Sequence, residues 1–130
     1  MDDTTTVQAL KDRSAAFCQA RDWARFHTPK EMAIGLATEA GELLAEFRFK
    51  SDAESAALVK DPARREALGH EVCDCLYFLL RFCAVSGIDV SEAFASKMRI
   101  NERRYPVAQA RGRNAKYTEL RRERRARKNR

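Results

Sequence analysis

The chain has 130 residues, enough for the core of one domain and too few for two. It is 45% hydrophobic and 34% charged with only five Gly and three Pro, which favours long helices and argues against a turn-rich β fold. The net charge of +6 is not a property of the whole, because residues 111–130 hold ten Lys or Arg against two Glu, whereas residues 1–110 hold fifteen bases against seventeen acids.

The expected organisation is therefore an all-α domain over residues 1–107 followed by a basic, flexible tail over 108–130. No apolar run reaches the roughly 20 residues of a membrane span, and the best stretch, "CLYFLLRFCAV", is interrupted by Arg81. The N-terminal "MDDTTTV" is acidic and polar, so a cytoplasmic protein without a membrane anchor is expected. Cys18, Cys73, Cys75 and Cys83 lack CxxC spacing, and Cys73 and Cys75 point about 200° apart on a helix, so free buried thiols are expected.

In chain order, Val7, Leu10, Ser14, Phe17 and Cys18 trace the stripe of a first helix from about Thr4 to Trp23. In "RFHTPKEM", Thr28 reads as an N-cap, Pro29 as the first helical residue and Glu31 as the third member of a capping box. The second helix then runs to about Phe49, and "KSDAES" reads as a loop. Asp61 and Pro62 open a third helix that continues to a left-handed stop at Gly87. "DVSEAF" opens a fourth with Asp89 and Glu92, ending near Tyr105 because Pro106 restricts the residue before it. Four helices with short connections predict an up-down four-helix bundle.

The second helix carries "EAGE" and the third "EVCD", so each places two carboxylates one turn apart on one face. Taken singly such a pair is a solvated helix surface. Should the two faces meet inside the bundle, the carboxylates would converge where repulsion and desolvation demand protonation or a cation. Oxygen-only ligands select a hard ion, Mg²⁺ or Mn²⁺. Mg²⁺ held by few carboxylates commonly shares its shell with substrate phosphates, which points to phosphoanhydride chemistry. By the same residue-level reading, Trp23, Phe26 and Phe49 are equally suited to closing one end of the core, and His27 to the surface.

Beyond Pro106 the sequence is dense in Arg and poor in apolar residues, as in a solvated tail or a nonspecific polyanion contact. Tyr117 is its only aromatic residue, which does not support sequence-specific RNA recognition.

Three segments, "RDWARFHTPKEMAIGLATEAGELLAEFRFKSD", "LGHEVCDCLYFLLRFCAVSGIDV" and "SKMRINERRYPV", together resemble the MazG-type all-α nucleoside triphosphate pyrophosphohydrolases, and within them the dCTP pyrophosphatase branch. The resemblance implies a MazG-like fold, a homodimer or homotetramer, and Mg²⁺-dependent cleavage of dCTP or a modified dCTP to the monophosphate and pyrophosphate, in nucleotide pool cleansing. It implies that Glu39, Glu42, Glu71 and Asp74 hold the metal and carry the catalysis; of these, Glu42 is chosen here as the candidate general base. It also implies nucleotide contacts from Trp23, His27, Phe49, Phe78, Lys97, Asn101, Arg104 and Tyr105. Phe49 stands where the branch usually has Trp, and Phe78 where it often has Tyr, which loosens the expected preference for cytosine. The rival readings are the same chemistry on dUTP or another non-canonical nucleotide, and a non-enzymatic helical module that binds nucleic acid through its basic tail.

Overall fold

A computed structural model describes residues 1–128, so the end of the basic segment, Asn129 and Arg130, lies outside the described residues. Among the described residues every regular element is helical: α1 (Val7–Gln19), a 3-10 turn (Ala24–Phe26), α2 (Pro29–Ala45), α3 (Asp52–Leu58), α4 (Pro62–Val85), α5 (Val90–Arg104), α6 (Val107–Ala110) and α7 (Tyr117–Lys128). The all-α class expected from composition is the class observed. The chain divides into two compact units, one spanning Met1–Asp89 and one from Val90 onward.

In the first unit, local chemistry sets the helix ends. The Thr6 hydroxyl accepts from the Ala9 N–H and starts α1. The helix ends earlier than its stripe suggests, because Asp22 takes a left-handed conformation (φ 52) and the Trp23 N–H returns to the Cys18 carbonyl. Thr28 caps α2 by accepting from the Glu31 N–H at 3.2 Å, with Pro29 in the first turn. The reciprocal half of the expected box is not made, since the Glu31 carboxylate pairs with Lys30 instead. A complete capping box forms at Ser51 and Glu54, inside the stretch read as a loop, and it starts the short α3. Asp61 caps α4 through the Arg64 N–H, and Gly87 (φ +65) ends it as predicted, with the Ile88 N–H returning to the Cys83 carbonyl.

Packing of α2 on α4 dominates this unit, with α1 also against α4. The close approach of α2 to α4 is made possible by Gly35: a Cβ there would lie 2.3 Å from the Phe78 ring. Gly41, between the paired glutamates, has nothing within 4 Å of where a Cβ would sit. A second tie joins the end of α2 to the start of α4, where Glu46 accepts from Arg64 at 2.6 Å. Cys18, Met32, Leu58, Leu68, Leu80 and Cys83 are buried, whereas Ile34, Leu44, Val72 and Leu79 remain exposed. All four cysteines are free, and Cys73 is exposed rather than buried.

In the second unit, α7 occupies much of the segment expected to be a flexible tail. Lys116 donates its N–H to the Glu119 carboxylate at the start of α7, Arg113 makes two hydrogen bonds to Glu123 at 2.9 and 2.7 Å, and Leu120 is 1% exposed. No helix among the described residues is long and apolar enough to cross a membrane.

Candidate active site

Glu39 and Glu42 project from α2 and Glu71 from α4, and the packing of these two helices brings them together. One carboxylate oxygen from each lies within 4.8 Å of the other two. Asp74, one turn after Glu71, falls outside that set but is near enough for its charge to act on Glu39. Burial first, then the charges of Glu42, Asp74 and Glu71, raise the Glu39 carboxyl above its ordinary value. The Glu71 Oε2 atom is buried with no hydrogen-bond partner. An unpartnered buried carboxylate oxygen beside two other carboxylates is a donor set that lacks its acceptor, and a hard divalent cation fits it.

A cavity of about 630 Å³ is lined by residues of α1 and α4. Asp74 lies in its wall, with Phe17, Tyr77 and Phe78 supplying aromatic surface and Arg13 and Ser14 polar groups. Most of the lining is apolar, as in sites that hold an organic group by packing and orient it by a few polar atoms. The contribution of α1 to this wall was not legible as function in the sequence. Its one signal was Ser14, a polar residue in an otherwise apolar stripe.

Of the aromatic residues named from the resemblance, Phe78 lines the cavity, packed edge-on against Tyr77 at 5.5 Å between ring centroids. Tyr77 lines it too. Trp23 is exposed and meets Phe17 edge-on at 5.9 Å. Phe49 stands apart from this cluster: it is 92% exposed, left-handed (φ 61), and touched by the Arg48 guanidinium 4.6 Å from its ring.

His27 belongs to a separate interior group. Its Nδ1 accepts from Arg81 Nε at 3.3 Å and lies 3.3 Å from Cys18 Sγ. Arg81 is 7% exposed, and no carboxylate among the described residues pairs with it. Burial and then the Arg81 charge lower the His27 pKa below 6.5, which fits a neutral imidazole accepting from a guanidinium. The Tyr77 hydroxyl is buried without a partner, and burial raises its pKa. The Arg81 that interrupts the most apolar run of the sequence is thus the centre of a buried polar group.

Lys97, Asn101 and Arg104 share one face of α5 in the second unit, at spacings of four and three residues. Arg104 lies over the Tyr117 ring at 5.3 Å, and Tyr105 packs against the same ring at 6.4 Å.

Comparison with known proteins places this geometry. No family model matches the chain. It is 39% identical over 115 residues to dCTP pyrophosphatase 1 of Rattus norvegicus, covering 88% of this chain and 68% of that protein. The Homo sapiens protein of the same name is 39% identical over the same coverage. A crystal structure of a pyrophosphatase from Archaeoglobus fulgidus DSM 4304 is 35% identical, with a TM-score of 0.71, and the match covers 76% of this chain and 91% of that one. The chain belongs to the dCTP pyrophosphatase family, of the MazG type. Membership makes it a nucleoside triphosphate pyrophosphatase, a hydrolase acting on acid anhydrides.

Proposed function

We propose that this enzyme hydrolyses dCTP, or a deoxycytidine triphosphate with a modified base, to the monophosphate and pyrophosphate in the presence of Mg²⁺, with Mn²⁺ as a substitute. The observation that carries the reading is the trio of carboxylates within 4.8 Å, one of which, Glu71, has a buried oxygen without a hydrogen-bond partner. Glu39, Glu42 and Glu71 hold the cation, joined by Asp74. When bound, the ion offsets the negative charge that grows on the phosphate oxygens during in-line displacement. Glu42, exposed to solvent beside the other acids, takes the proton of the attacking water. Phe17, Tyr77 and Phe78 supply the flat apolar surface for the nucleoside, and Ser14 and Arg13 the polar contacts at its edge. Phosphate contacts are assigned to Lys97, Asn101 and Arg104 on the chemistry of their side chains. Phe49 and Tyr105, both exposed, are assigned to the base on the chemistry of their rings, and Trp23 and His27 to supporting contacts.

The exposed apolar residues of α2 and α4, Ile34, Leu44, Val72 and Leu79, support assembly with further copies of the chain, as a dimer or tetramer. The test of function is incubation with each canonical dNTP and NTP and Mg²⁺, scoring monophosphate plus pyrophosphate against diphosphate plus phosphate. dCTP is expected to give the highest kcat/KM and pyrophosphate as coproduct. Diphosphate as the main product would overturn the reaction, and a preference for dUTP would overturn the substrate while leaving the chemistry standing.

A further inference from the structure

We propose that α7 is a nucleic-acid contact, a face that binds the phosphate backbone without regard to sequence. Charge is distributed unevenly around the helix. At about 100° per residue, Arg121, Arg124 and Arg125 fall within about 100° of arc, and Glu119 and Glu123 lie roughly opposite. Both acids have structural work: Glu119 accepts from the Lys116 N–H at the first turn, and Glu123 holds Arg113 through two hydrogen bonds. They fix the start of the helix and leave the basic face uncompensated. Among the described residues no carboxylate pairs with Arg121, Arg122, Arg124 or Arg125, and of these only Arg124 is even half-buried. Tyr117 lies on the same side of α7 as Arg121 and Arg124.

The chemistry of this face selects its partner. All three bases of this face are arginines, whose planar fork suits phosphate oxygens, as a point-charge lysine does less well. The helix has no apolar stripe to lay into a bilayer: Leu120 is buried, Tyr117 is packed against Tyr105 and Arg104, and Ala126 is the only other apolar residue. Twelve helical residues span about 18 Å, and duplex DNA carries one charge per about 1.7 Å of axis, so the whole face lies over a dense row of phosphates. The absence of a free aromatic ring on the face leaves backbone contact, not base stacking, as the mode of binding.

The experiment is fluorescence anisotropy of the full chain with labelled 24-base-pair duplexes of two unrelated sequences, a labelled 24-nucleotide single strand, and vesicles containing 30% phosphatidylserine. Micromolar or weaker affinity is expected for the nucleic acids, with less than a tenfold difference between the two duplexes. At about 0.9 counterions per phosphate contact, three contacts make duplex affinity fall about 40-fold between 50 and 200 mM salt. The variant R121Q/R124Q/R125Q should flatten that salt slope by about 2.7 and weaken binding at 50 mM salt by more than tenfold, while R121K/R124K/R125K retains the slope. Both variants should keep the pyrophosphatase kcat/KM. Unchanged binding by the glutamine variant overturns the proposal, as does loss of the slope in a folded lysine variant. Strong preference for one duplex, or binding to vesicles but not to nucleic acid, overturns it as well.

Discussion

Replacing Glu39 with Gln should make the metal-free protein more stable and the metal-loaded protein less so. The carboxylate oxygens of Glu39, Glu42 and Glu71 lie within 4.8 Å of one another. Two unit charges at that distance repel by about 0.9 kcal/mol in bulk water and about 3.5 kcal/mol at an effective dielectric constant of 20. Glu42 is exposed and Glu39 half-buried, so solvent screening brings the repulsion near the lower figure, about 1 kcal/mol per neighbour. Glutamine keeps the shape and removes the charge, for an expected gain of about 1–2 kcal/mol in EDTA, or roughly 4–8 °C in Tm for a chain of this length.

The pH dependence follows from the raised Glu39 pKa. The native state holds this proton more tightly than the unfolded chain, so the associated stability is fully present below the ordinary value of 4.5 and is lost as pH rises through the raised value. The Gln variant should lack that loss. With Mg²⁺ at 100 times its Kd the wild type gains about 2.7 kcal/mol, and the variant should lose most of that gain. Thermal melts followed by circular dichroism between pH 4 and 8, in EDTA and in Mg²⁺, read both effects. A variant that melts below wild type in EDTA, or that keeps the full Mg²⁺ shift, would refute the picture of crowded carboxylates awaiting a cation.

Four further substitutions have definite expected outcomes. Gly35→Ala must displace the Phe78 ring, which a Cβ would approach to 2.3 Å; overpacking is expected to cost about 1–3 kcal/mol against the roughly 1 kcal/mol of helix propensity gained. Gly41→Ala meets nothing and should stabilise by about 0.5–1 kcal/mol, so urea titration should move the two midpoints in opposite directions. Because burial and Arg81 lower the His27 pKa, its contribution is present above pH 6.5 and is lost as pH falls through the lowered value, by at most about 1.4 kcal/mol per pH unit. His27→Asn should flatten that acid limb, and an unchanged limb would remove His27 as its cause. Phe17→Ala opens the aromatic wall of the cavity and is expected to raise KM for dCTP at least tenfold with a smaller change in kcat; a pure kcat effect would separate the cavity from substrate binding.

Sequence alone determined the features that depend on neighbours along the chain. Thr28, Asp61 and Gly87 mark helix ends through hydrogen bonds and backbone conformations that span only a few residues, and all three act where periodicity put them. The four acids of "EAGE" and "EVCD" were legible as two pairs because helical spacing is local. The Ser51 box was equally local and was obscured only because "KSDAES" lacks an apolar stripe long enough to announce a helix.

What the tertiary structure decided was every relation between helices. It brought Glu71 to Glu39 and Glu42, made Gly35 rather than Gly41 the point of close approach, and engaged Glu46 with Arg64. It also drew α1 into the cavity wall, and gave Arg81 and His27 to each other while Phe49 stayed in solvent. Periodicity fixes which residues share a face, but which two faces meet depends on the packing of side chains far apart in sequence, which no short window of residues contains.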